Sequence, residues 1–260
     1  MMEVVKLKYK KDFLKHVLFR IDFKIKDSNS NLFVSDLKQA CSNICNVFEE
    51  QNSVDIEFKQ IGNTSTFEKL DTNNLVWSFH NGNRTKLITL SSKFLFIDES
   101  VYEGYATMKN DFLHVFETIC KISQIDVIRL GVRYIDEISI DGIEIAEINT
   151  KDLWKKYINS SLVSCLDFIE DKREISRVLS QFEFNYEPIK LRYKCGLLNP
   201  DYPSPNKKGN FLIDTDVYIE GLIATADIAQ YIDDFHKKAS TFFEKTITDE
   251  LRELMQNDKQ

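Results

Sequence analysis

Val17, Phe19, Ile21, Phe23 and Ile25 alternate with Leu18, Arg20, Asp22 and Lys24, the period of two that buries one face of a β-strand. After a polar stretch at 28–31, Leu37, Cys41, Ile44, Cys45 and Phe48 fall at helical spacing, with Ser35 placed to cap the helix. Val54, Ile56 and Phe58 return to a period of two. A meander is predicted next: strands over 75–80, 85–90 and 93–97, the first two joined by the hairpin signal Asn81-Gly82. Tyr105, Met108, Phe112, Val115, Phe116 and Ile119 then form the stripe of a long helix.

The second half repeats this order. A strand over 126–140 leads through Asp141-Gly142 into a helical stretch with Trp154, Tyr157, Leu162 and Phe168. Three strands follow, near 176–184, 189–197 and 211–219. A long helix carries Ile228, Tyr231, Ile232, Phe235, Phe242 and Phe243, and a short one starts at the Thr248-Asp249 cap. The pattern predicts an α+β fold of antiparallel-rich sheets with helices packed on one face. Strand–helix–meander–helix occurs twice, over 1–124 and 125–260, as a pseudo-repeat in two units or in one continuous domain. Residues 199–210, with Pro200, Pro203, Pro205 and Gly209, are expected to form a long mobile hairpin loop.

Composition narrows the class. Hydrophobic residues at 43% and charged residues at 29% suit a folded chain. A net charge of −7 argues against generic binding to nucleic acid or anionic membrane, although Lys6, Lys8, Lys10, Lys11 and Lys15 make one basic segment. The five cysteines form no C-x-x-C pair, and Cys41 and Cys45 lie on an apolar helix stripe, as buried thiols do. With no secretory pattern at the start and no long apolar run, a cytoplasmic protein off the membrane is expected.

Candidate chemistry is sparse. No two of the eight glycines are close enough for a G-x-G-x-x-G or P-loop cradle, and the four histidines stand apart in sequence. No cofactor or metal is expected. Asp55, Glu57 and Lys59 share one face of a strand, and the Glu-x-Lys half resembles the metal-binding strand of restriction-type nucleases. Asp22 would supply a further carboxylate if the first two strands were neighbours. The competing reading is ordinary alternation of charge on a wet face. Lys190, Arg192 and Lys194 form a row that either reads phosphates or pairs with the Asp214, Asp216 and Glu220 row.

The strand 127–135 has the one distinctive geometry. Arg129 and Arg133 flank Gly131 on one face, with Ile128, Leu130, Val132 and Tyr134 on the other. The two side chains either converge over the glycine as a notch for an anion or a partner's acid, or pair with acids of neighbouring elements. The run Arg129-Leu130-Gly131-Val132-Arg133-Tyr134-Ile135 resembles the central signature of a sporadically distributed family of uncharacterised bacterial and archaeal proteins. Tyr102, the segment from Asp234-Phe235-His236 to Phe243-Glu244, and Ile247-Thr248-Asp249-Glu250-Leu251 resemble the same family. The family pattern has Asn after Tyr-Ile, where this chain has Asp136. Sporadic distribution is typical of mobile-element, toxin–antitoxin and anti-phage genes. The expectation is therefore a non-enzymatic protein-binding module of a defence or toxin–antitoxin-like system, with a protein partner and scope for homo-oligomers. Two alternatives stay open: a protein that binds nucleic acid or cleaves it with a metal, and a sensor of small anions at the Arg129, Gly131, Arg133, Tyr134 notch.

Overall fold

The computed structural model describes residues 9–26, 32–61, 64–140, 150–207 and 209–256, with the side chains of 51–61, 64–74, 151 and 172 left aside. The first-half elements are β1 (Leu14–Ile25), α1 (Ser35–Ser42), β2 (Val47–Ile61), β3 (Thr64–His80), β4 (Lys86–Ser91), β5 (Phe94–Glu99) and α2 (Tyr105–Ile122). There follow β6 (Ile125–Ile138), the short helices α3 (Lys151–Tyr157) and α4 (Ser160–Val163), a 3-10 turn over Ser164–Phe168, β7 (Val178–Asn185), β8 (Lys190–Leu198), β9 (Asn210–Ile223), α5 (Ile228–Thr246) and α6 (Asp249–Gln256). The fold is α+β, as the alternation predicts. Its nine described strands are ordered β2-β3-β4-β5-β1-β6-β9-β8-β7, antiparallel at β2–β3–β4–β5 and at β7–β8–β9.

Two compact units divide the chain. One comprises 1–17, 131–219 and 230–260, the other 18–130 and 220–229. They interleave along the sequence, whereas the halves 1–124 and 125–260 do not. In the second unit Phe19 meets Phe112 of α2 edge-on at 5.7 Å, over a core that includes Ile21, Ile88, Leu90, Leu95 and Ile97. In the first unit Trp154 of α3 packs on Phe211 of β9 at 5.0 Å, beside buried Leu191, Cys195, Phe235 and Leu251. Burying such side chains contributes about 1.5–3 kcal/mol each, which is what holds the helices to the strands.

Several local expectations change. The helical spacing running to Phe48 breaks at Ser42, because from Val47 the backbone pairs with β3 at His80. Phe48 then packs from the strand onto Trp77 and Phe79 at 5.6 and 5.0 Å. Ser35 does not cap α1; its hydroxyl donates to Asp36 Oδ1. The Asn81-Gly82 hairpin signal holds, with β4 beginning at Lys86 where 85 was expected. The Asn81 carboxamide accepts from the Thr85 and Lys86 N–H groups, and the left-handed residue is Arg84, at φ 55°. The loop after β8 is knit together: Asn199 Nδ2 donates to Ser204 O, Asn206 N–H to Ile175 O, and Ser176 Oγ to Pro203 O. Those bonds oppose the mobility expected from its prolines. Asp141 and Gly142 lie outside the described residues.

Candidate functional site

β6 carries Arg129 in the second unit and Arg133 in the first. Arg129 Nη1 lies 3.7 Å from Asp22 Oδ2, and that carboxylate also accepts from Arg20 Nε and Nη2 at 2.9 and 2.7 Å. Arg133 grips Asp214 of β9 with Nε and Nη2, both at 2.7 Å. This two-pronged bond to a nearly buried carboxylate raises the Arg133 pKa, outweighing the desolvation that would lower it. Each guanidinium thus faces a carboxylate of its own unit. Gly131 is buried, and Tyr134 places its hydroxyl 2.7 Å from His236 Nδ1 on α5. The expected strict alternation also shifts phase: Val127 is buried, Ile128 is half-buried, and Leu130, Val132 and Tyr134 are buried.

Asp22 and the Asp55, Glu57, Lys59 row are not brought together. β3, β4 and β5 stand between β1 and β2, about 19 Å of sheet at the usual strand spacing. The side chains of Asp55, Glu57 and Lys59 lie outside the described residues, and in backbone register they oppose Leu70, Glu68 and Thr66. The condition that would let Asp22 join them is not met. Among the described residues no group of three or more His, Cys, Asp or Glu side chains is placed to hold a metal ion.

The basic row of β8 lies against the acidic row of β9, with Arg192 opposite Asp216 and Lys194 opposite Asp214. On the other side Arg192 Nε reaches Glu183 Oε1 of β7 at 3.2 Å. Opposite charges alternate across these strands, which largely cancels the field a phosphate would need. Of the N-terminal lysines, Lys10 and Lys11 donate their backbone N–H groups to Met255 O, and Lys6 and Lys8 lie outside the described residues.

Two buried charge sites escaped the sequence reading. Lys86 puts its ammonium 2.7 Å from Asp111, 2.9 Å from Glu99 and 3.0 Å from Glu103. Burial works to lower its pKa, but the three carboxylates win and raise it. Glu99 is held above the usual carboxylate range, because burial outweighs a Lys86 charge shared among three acids. A signal existed: Lys86 shares the buried parity of Ile88 and Leu90, and Glu99 that of Leu95 and Ile97. The second site is Asp136, pushed up to about 8 first by burial and then by the charge of Asp12.

Among the described strands β7 and β2 end the order, and β7 is the end whose side chains are described throughout. Tyr186 N–H donates to Ile189 O, closing the β7–β8 hairpin, and the register runs from Asn185↔Lys190 to Val178↔Leu197. Antiparallel alternation then turns the backbone groups of Leu179, Gln181, Glu183 and Asn185 away from β8, out of the sheet edge. Phe182, Phe184 and Tyr186 lie on the α5 side. Phe182 packs on Tyr193 at 6.2 Å, Phe184 on Phe242 at 5.2 Å, and Lys238 Nζ sits 3.8 Å over the Tyr186 ring. Even so, Leu179, Phe182 and Tyr186 are each more than two-fifths exposed. β8 approaches very closely here: a Cβ on Gly196, at φ 149°, would lie 2.0 Å from Val178 O. The sequence marks these residues as a strand but does not mark it as terminal.

No protein-family model and no curated protein matches the chain.

Proposed function

We propose that this chain is a protein-binding module and that the β7 edge is its contact surface. The supporting observation is an eight-residue terminal strand with one charged side chain, Glu183, and with exposed Leu179, Phe182 and, just beyond it, Tyr186. Sheet edges that stay solvated usually carry lysine, proline or a bulge that blocks another strand. β7 has no lysine or proline. A protein segment in extended form would satisfy its outward N–H and C=O groups and cover the aromatic shelf.

The defence or toxin–antitoxin setting is supported only by the resemblance around Arg129–Ile135. A cytoplasmic location is supported by free Cys41, Cys45 and Cys195, all buried thiols, and no described helix is long and apolar enough to cross a membrane. The pseudo-repeat also belongs to this proposal. In its favour, β1 begins the order β1-β5-β4-β3-β2 and β6 begins β6-β9-β8-β7, so in each half the first strand lies next to the last strand of its meander.

The test is capture of the tagged full chain in its host, wild type against Phe182→Lys. A stoichiometric protein, either a second copy or another chain, held by the wild type and lost by the variant is the expected result. A wild-type chain that is monomeric and retains no protein overturns the reading.

A further inference from the structure

We infer that the occupant of the β7 edge is the β7 edge of a second copy, paired antiparallel about a two-fold axis at Phe182. This rests on the proposal that β7 is a protein-contact surface, and it names the partner.

Register decides the case. The outward backbone groups belong to Leu179, Gln181, Glu183 and Asn185, so a new strand must bond to these residues. A two-fold pairing centred on Phe182 bonds Gln181 to the copy's Glu183 and Leu179 to the copy's Asn185. It uses all four outward residues of each chain and the whole stretch from Val178 to Tyr186. Centring on Glu183 instead sets two like charges face to face, and centring on Gln181 shortens the overlap.

The same centre matches the side chains on both faces. On the α5 side, Phe182 meets the copy's Phe182, and each already packs on its own Tyr193 at 6.2 Å. The result is a row of four aromatic rings across four strands. Ser180 lies opposite the copy's Phe184, and Val178 opposite its Tyr186, which covers two of the exposed rings. On the other face, Lys194 stands beside Gln181 and Arg192 beside Glu183 within one chain. Across the axis the row becomes Lys194, Gln181, Glu183, Arg192, in which the acid lies between an amide and a guanidinium. Gln181 Nε2 already donates to Glu183 Oε1 of its own chain at 2.9 Å and can make the same bond to the copy. The strand is self-complementary, which is what an isologous interface requires.

Sedimentation and light scattering of the full chain read the assembly state. A species of twice 30.4 kDa is expected. Gln181→Glu, which sets carboxylates opposite one another at two symmetric contacts, should weaken it about tenfold. Phe182→Lys should leave a monomer whose circular dichroism matches the wild type. Register is tested in a Cys165→Ser background with oxidised glutathione as oxidant. Phe182→Cys should crosslink two chains through a disulfide on the axis, and Gln181→Cys should not. A wild-type monomer overturns the inference. If that monomer holds a different stoichiometric protein lost on Phe182→Lys, the protein-binding proposal stands while this one fails; if it holds none, both fail. A dimer indifferent to Gln181→Glu and Phe182→Lys also overturns the inference, since its interface lies elsewhere.

Discussion

Lys86 and Glu99 stand directly opposite one another on β4 and β5, with Nζ 2.9 Å from Oε1 and with 7% and 0% of their side chains exposed. Such a pair costs desolvation on both sides and persists because Asp111 and Glu103 take further protons of the same ammonium. It fixes the start of β4 to the end of β5.

Lys86→Met removes the ammonium that the three carboxylates share and leaves the buried Glu99 without it. A loss of about 3–5 kcal/mol in unfolding free energy is expected from urea titration. Lys86→Met with Glu99→Leu should recover much of that loss, since Glu103 and Asp111 are partly exposed. A double variant no better than the single one would mean that Glu99 is not the charge left stranded.

Asp136 makes stability depend on pH with a defined sign. Its folded pKa, about 8, lies above the ordinary 3.8. The native state therefore keeps a proton that the unfolded chain has lost, and stability must fall as pH rises between these values. The full effect is on the order of 5 kcal/mol by linkage. Asp136→Asn keeps the shape without the titration, so the variant should be the more stable at pH 8 and should lose most of the slope. Denaturation midpoints across that range give the comparison. Identical pH profiles for the two proteins would refute it.

Gly196→Ala should detach β7 from β8 near Val178, because the added carbon meets a backbone carbonyl that cannot rotate away. Left-handed backbone adds strain for any L side chain. A destabilisation of about 2 kcal/mol or more, with faster amide exchange along β7, is the expected outcome. Alanine at Gly82 meets nothing within 4 Å and should be nearly neutral.

The two arginines of β6 should differ. Arg133→Met breaks two bonds to the nearly buried Asp214, and Arg133 is itself 41% exposed, so about 1–3 kcal/mol is expected. Arg129→Met loosens a 3.7 Å contact to an acid that Arg20 already holds, and the loss of that contact should cost under about 1 kcal/mol. Equal losses would show that Arg129 has a stronger role than its Asp22 contact.

Much of the architecture was legible in alternation alone. β1, β6, β8 and β9 appear within a few residues of where apolar positions recur every second residue, and α2 and α5 where they recur at helical spacing. α1 was misjudged at its end because Phe48 continues the helical spacing by coincidence; pairing with β3 overrides it. The candidate site was less legible. Arg129 and Arg133 stood out beside Gly131, yet their partners Asp22 and Asp214 are distant in sequence. Lys86 and Glu99 sit at buried parity, but no motif or spacing in the sequence joins them. β7 was predicted as a strand of no particular note.

The order of the elements, the buried face of strands such as β1 and the absence of a glycine-rich phosphate cradle are determined by the sequence, because a period of two or 3.6 is a local property of the backbone. Strand neighbours are not local. That β1 lies four places from β2, that Lys86 meets Glu99, and that β7 ends the order were decided only by the tertiary structure. Pairing distant strands costs a loop-closure entropy that grows slowly with loop length, so the choice falls to long-range packing and charge matching. That choice also left the outward backbone groups of Leu179, Gln181, Glu183 and Asn185 at an edge another strand can meet.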